Sequence, residues 1–310
     1  MIRPKRLRAG ARVAVLSPAG SPKEALVRLG MERLASLGYE PVLFPSALAA
    51  GPLYYAGEVA ARVKDLHDAF RDDSIDAIVC TRGGWGTAEL LPHLDAELVR
   101  SHAKSFIGYS DHTTLHLWFA QQCNLHTFYA PMISPDFARG DALEEGVDLA
   151  SWRCALEGTE PWSVGEREGM RVLRAGATVE GTLYGGCLAL LVESLGTPWA
   201  MRMPEGDVIL FVEEVGTHAY QWDRMMLHMQ YAGLLERVKG IVFGNMAQCA
   251  AEELIEKALL HNLRNWRGPI AIGLQCGHVN APNVSLPLGV CTRLVCDDRA
   301  ELQILEGAVS

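Results

Sequence analysis

Short apolar runs alternate with amphipathic stretches through the first half of the chain. Arg12–Ser17 (RVAVLS) reads as a strand, and Pro22–Leu37 follows with Leu26, Leu29, Leu34 and Leu37 at helical spacing. Gly38 supplies the helix stop. PVLF is a second strand, and Glu58–Phe70 is a helix with Val59, Val63, Leu66 and Phe70 on one face. DAIVCT and SFIGYS are a third and fourth strand, Thr113–Gln122 a helix, and LHTFY a further strand. Strands separated by helices predict an α/β fold, with a parallel sheet covered by helices on both faces.

The pattern changes after Pro135. Residues 136–175 are charged and glycine-containing, with one helix expected around Leu143–Leu156. A domain boundary is expected within 160–175, giving an N-terminal α/β domain at 1–165 and a C-terminal domain of mixed strands and helices at 166–310. Strands are expected in the second half at Thr178–Leu183, Asp207–Val212, Gly240–Phe243, Ile270–Gly273 and Arg293–Asp297. Helices are expected around Gly185–Leu195, Tyr220–Ala232 and Ala251–Leu263.

Composition narrows the function classes. Of 310 residues, 49% are apolar, which supports a full core and argues against disorder. The net charge of −9 argues against a nucleic-acid partner, which needs a basic face. The opening apolar run VAVL is cut by Ser17-Pro18, too short for an export signal, and nothing reaches the length of a membrane helix. No membrane association is expected, and the location expected is cytoplasmic. The eight cysteines form no CxxC pair and read as reduced core thiols rather than a metal cluster.

In open parallel sheets, ligands bind beyond the carboxyl ends of strands. Three stretches there carry unusual residues. In SFIGYSDHTT, Ser110 stands on a strand-to-helix turn, where a hydroxyl is held away from the backbone beside the free N–H groups of a helix start. The segment lacks the second glycine of GxSxG, and Ser110 or Asp111 also suits a plain helix cap. In TRGGWGTAELL, adjacent glycines allow N–H groups to point at a carbonyl oxygen or an anion, or form an ordinary turn. In the second half, Glu213 and Glu214 follow an apolar strand and His278 follows another. Together the stretches supply a hydroxyl, an imidazole and a carboxylate, the parts of a nucleophile, base and orienter. His112 is a rival base, although a residue two positions from Ser110 points elsewhere. Glu214 is a rival orienter, although neighbours at a strand end face opposite ways.

The segments TRGGWG, IGYSDHTTLH, GTLYGGCLALLVESLGTPW, ILFVEEVG…WDRMM and IGLQCGH, in that order, resemble the LD-carboxypeptidases, a serine peptidase family that includes the microcin C self-immunity peptidases. The likeness covers almost the whole chain. It implies two domains and a Ser-Glu-His triad falling on Ser110, Glu213 and His278, separated by 103 and 65 residues. From its place before the Gly-Gly loop, Arg82, with Gly83 beside it, is a candidate to meet the terminal carboxylate of a substrate, and also reads as a surface or ion-paired arginine; the likeness itself implies an oxyanion hole from the backbone N–H groups of Gly84 and Asp111. It implies release of the terminal D-alanine from a muropeptide tetrapeptide without metal or cofactor, and a homodimer. A microcin C-type aminoacyl-nucleotide amide is the alternative substrate, and a non-catalytic binding module the alternative class. Relatives often carry a Pro-Tyr-Arg type sequence before the Asp-Arg pair. Here Ala219-Tyr220-Gln221-Trp222 stands there; if that helix shapes the substrate pocket, Gln221 and Trp222 change which substrate the likeness implies, without touching the triad.

Overall fold

The computed structural model describes residues 1–310. Its strands are β1 (Arg12–Leu16), β2 (Glu40–Leu43), β3 (Ala77–Cys80), β4 (Ser105–Gly108), β5 (Thr127–Tyr129), β6 (Trp162–Val164), β7 (Arg171–Arg174), β8 (Val179–Cys187), β9 (Val208–Glu213), β10 (Val238–Gly244), β11 (Ile270–Leu274), β12 (Leu286–Leu288), β13 (Cys291–Cys296) and β14 (Ala300–Ile304). They form two sheets in two compact units. One unit comprises Met1–Thr159 with Ala281–Pro287 and Gly307–Ser310; the other comprises Glu160–Asn280 and Leu288–Glu306. The two returning segments carry no sequence signal that separates them from their neighbours.

The first unit holds a six-stranded sheet in the order β12-β5-β4-β3-β1-β2. Strands β1 to β5 pair in parallel wherever they are neighbours. Strands β3 and β4 are buried at every position, as expected where both faces of a parallel sheet are covered. The helix Glu24–Ser36 buries Val27, Gly30 and Leu34, whereas Leu26 is exposed. Its core face is thus turned by one residue from the leucine stripe expected. Leu37 ends it and Gly38 follows at φ 93°. The helix Val59–Arg71 buries Val63, Leu66 and Phe70 as expected, and also Arg62 and Asp65. The single helix expected at Thr113–Gln122 is divided into a 3₁₀ turn at Ser110–His112, an α-helix at Thr113–Trp118 and a π turn at Phe119–Cys123.

The second unit holds a mixed eight-stranded sheet, β6-β14-β13-β8-β9-β10-β11-β7. Its centre, β8 to β11, is parallel. Its flanks, β13, β14, β6 and β7, are antiparallel. All six residues of β9 are buried. Gly185 and Gly186, expected at the start of a helix, instead continue β8, and the helix begins at Leu188. No helix is long and apolar enough to cross a membrane.

Candidate active site

Strand β4 delivers the nucleophile candidate of the first unit. It ends at Gly108, and two residues later Ser110 adopts φ 66°, the left-handed region that side chains rarely occupy. Its backbone N–H donates to the Tyr129 hydroxyl at 3.1 Å, which ties the turn to β5. A non-glycine residue held there at a strand end is a sharp elbow that lifts its side chain off the sheet. The helix-cap reading of this segment is set aside, because neither Ser110 nor Asp111 caps the helix that follows with its side chain. Asp111 is engaged elsewhere. Its Oδ2 accepts from the Thr87 N–H at 2.9 Å and its carbonyl accepts from the Thr87 hydroxyl at 2.7 Å.

Those two bonds attach the Gly-Gly loop after β3 to the elbow. His112 adds a third. Its Nε2 lies 3.0 Å from the Arg82 carbonyl, which only accepts, so Nε2 carries the proton. The ring is fully buried, its Nδ1 has no partner, and burial lowers its pKa to about 3, with His116 adding to the effect. His112 is therefore a neutral strut under the loop and not a base. His116 plays a similar part: Nε2 donates to the Gly108 carbonyl at 2.8 Å, Nδ1 accepts from Thr127 at 2.8 Å, and burial lowers its pKa to about 4. With Arg82, Gly83, Gly84, Ser110 and Asp111 gathered in this way, Gly83 comes directly against the serine. A Cβ on Gly83 would lie 2.9 Å from the Ser110 Oγ.

The second unit assembles the acid and the imidazole. Glu213 is the last residue of β9 and is completely buried. His278 follows β11 after the short segment Gln275-Cys276-Gly277. The His278 Nδ1 lies 2.9 Å from Glu213 Oε2 and 3.1 Å from Oε1, and the His278 backbone N–H donates to Oε2 at 3.1 Å. A carboxylate only accepts, so Nδ1 holds the proton and Nε2 is the nitrogen that takes one up. Gly277 permits this approach, because a Cβ there would stand 2.5 Å from the Glu213 Cδ.

Glu214 faces the other way. Its oxygens accept from the N–H groups of Ala189 at 2.7 Å and Val215 at 2.9 Å, and burial raises its pKa. It serves the start of the helix at Leu188–Glu193 and is no orienter for His278. Trp222 and Gln221, where the chain departs from the pattern of its relatives, are held by their own unit. Trp222 is wholly buried edge-on against Phe243, and the Gln221 side chain accepts from the His218 N–H at 2.8 Å. Tyr129, Thr87 and Gly277 were missed in the sequence. Each acts through a backbone or close-packing contact that no motif encodes.

Family models match both halves of the chain: the LD-carboxypeptidase N-terminal domain over residues 13–130 and the C-terminal domain over 180–294. SCO6489 of Streptomyces coelicolor, which bears a carboxypeptidase name, is 34% identical over 96% of this chain and 94% of its own. The probable murein peptide carboxypeptidase of Bacillus subtilis is 31% identical over 99% of this chain and 95% of its own. Among solved structures, the microcin C7 self-immunity protein MccF with glutamyl sulfamoyl guanosine has a TM-score of 0.91 over the full length of both chains. Its 21% identity makes that a likeness of fold. With both domains matched and the likeness to carboxypeptidases spanning nearly every residue, the chain belongs to the LD-carboxypeptidase family and is a serine-type hydrolase.

Proposed function

We propose that the protein releases the terminal D-alanine from muropeptide tetrapeptides by hydrolysing an L–D amide bond, with Ser110, Glu213 and His278 as its triad. The observation that carries this reading is the locked pair: Glu213 Oε2 accepts from His278 Nδ1 at an N–O distance of 2.9 Å and leaves Nε2 to act as base. Ser110 on its left-handed elbow is the hydroxyl displayed for attack. The murein relative at 31% identity supports the substrate class.

In this mechanism His278 Nε2 takes the Ser110 proton as Oγ attacks the amide carbonyl carbon. The N–H groups of Gly84 and Asp111 donate to the oxyanion, each such donor being worth about 10²–10³ in rate. As the tetrahedral intermediate collapses, the C–N bond breaks and His278 protonates the leaving amine. Water then enters, gives its proton to His278 and attacks the ester carbonyl. The second collapse returns the proton to Ser110 and releases the shortened peptide as its acid. Glu213 keeps the imidazole in the required tautomer and stabilises its charged form throughout.

The test is a side-by-side assay of purified protein on a tetrapeptide ending in D-alanine, its all-L counterpart and an aminoacyl-nucleotide amide of microcin C type. Preferential release of D-alanine is expected. Faster hydrolysis of the nucleotide amide replaces the murein reading with the microcin one, and turnover of none removes both.

A further inference from the structure

A cavity of about 340 Å³ opens in the first unit, lined by Gly20, Ser21, Tyr54, Arg82, Gly84 and Trp85. That is the small end of the range for ligand pockets. Three loops make its walls and are stitched to one another. The Gly20 N–H donates to the Gly83 carbonyl at 3.2 Å, and the Ser21 N–H donates to the Tyr54 carbonyl at 2.9 Å. The Ser21 hydroxyl lies 2.7 Å from the Ala49 carbonyl and 2.8 Å from that of Tyr55. From below, the buried Arg62 guanidinium lies 5.1 Å from the Tyr55 ring centre and donates to the carbonyls of Pro18 and Gly86. The cavity is thus a built feature with exposed aromatic rims, Tyr54 and Trp85.

Arg82 supplies its charge. Its side chain makes one long hydrogen bond, Nη1 to the Ser21 carbonyl at 3.4 Å, and no carboxylate of the chain pairs with it. Arg62 next door is turned inward, its Nη1 donating to two carbonyls and its Nη2 pairing with Glu89. The Arg82 tip sits one glycine beyond the serine: Nη2 is 3.7 Å from where a Gly84 Cβ would lie, and Gly83 is the residue against Ser110. A substrate whose scissile carbonyl meets Ser110 and whose next residue is the last has its free carboxylate about one residue length, ~3.8 Å, further on.

We infer that Arg82 reads the terminal carboxylate of the substrate and so makes the enzyme an exopeptidase, with the released residue seated among Gly20, Gly84, Tyr54 and Trp85. The inference rests on the triad reading for the position of the scissile bond. A guanidinium fork suits a planar carboxylate in two-point contact. A charged hydrogen bond of this kind is worth about 10–100-fold in binding.

Binding and turnover are measured separately so that the two readings fail separately. In Ser110→Ala protein, calorimetry is used to compare a tetrapeptide with a free C-terminus against its C-terminal amide. The free acid is expected to bind about 10–100-fold more tightly, and that preference is expected to collapse towards one in Ser110→Ala/Arg82→Gln. With lysine in place of glutamine, an intermediate preference is expected. An acid-to-amide ratio that is unchanged by Arg82→Gln, or no preference in Ser110→Ala protein, overturns the inference. Absence of turnover in the parent overturns the triad reading instead, while the binding ratio still decides the role of Arg82. Circular dichroism checks the fold of each variant, and the exposed, lightly bonded Arg82 side chain leaves the core untouched.

Discussion

Gly83 presses on Ser110 so closely that a single methyl group at Gly83 would stand 2.7 Å from the Ser110 Cβ. The loop after β3 and the elbow after β4 are therefore one fitted surface. Gly83→Ala is expected to shift the serine by a few tenths of an ångström or more and lower kcat by about 10²-fold, the usual cost of misplacing a reacting group. Steady-state kinetics with circular dichroism checks this. Unchanged kcat would separate the loop from catalysis.

Ser110 itself is held under strain at φ 66°. Left-handed backbone costs a side-chain-bearing residue about 1–2 kcal/mol, whereas glycine adopts it freely. Ser110→Gly is thus expected to be inactive yet more stable than Ser110→Ala by about 1 kcal/mol. Urea unfolding of the two variants reads the difference.

In the second unit, Gly277→Ala is expected to do damage twice. Its φ is 96°, and its new methyl group would meet the Glu213 carboxylate. Backbone strain alone costs about 1–3 kcal/mol. Displacing the acid also frees His278 to turn. A lower melting temperature together with a lower kcat is expected, and loss of one without the other would contradict the account.

The buried histidines set a pH dependence of stability. In the folded state His112 titrates at about 3 and His116 at about 4, both below the ordinary value near 6.5. Between these values and pH 6.5 the unfolded chain binds protons that the folded chain refuses, so stability falls as pH drops through 6.5. Asp136 opposes this: burial raises it to about 6, so its contribution is present below about pH 4 and lost as pH rises through 6. His112→Gln, which keeps a donor towards the Arg82 carbonyl, is expected to flatten the profile between pH 4 and 6.5 by about 1.4 kcal/mol per pH unit, one proton's worth. Urea titrations of both proteins across that window read the slope. An unchanged slope would mean that His112 is charged in the fold.

Much of this was legible in the sequence, for reasons that particular elements make plain. Continuous apolar runs such as AIVC and VILFV announced buried parallel strands, and the candidate site residues stand just past them. The alternation of side chains at a strand end is the reason that Glu213 meets His278 while Glu214 meets the Ala189 N–H. Strands β6 and β7 escaped notice because flank strands are short and partly exposed, and RVLR has arginine at both ends. Strand β12 is three residues long and contains proline, yet it joins a sheet whose other strands end at Tyr129. Such distant pairing leaves no local period. Trp222, where the chain departs from the Pro-Tyr-Arg pattern, lies in the core against Phe243, a placement that no local period announces.

The central claim is that His278, held by Glu213, activates Ser110. Labelling with a serine-directed acylating reagent, followed by peptide mass spectrometry, tests it most directly in the parent, His278→Ala and Glu213→Ala proteins. The account predicts a single adduct on Ser110 in the parent and little or none in either variant. Adducts on other serines, or equal labelling of Ser110 without the imidazole, would contradict it.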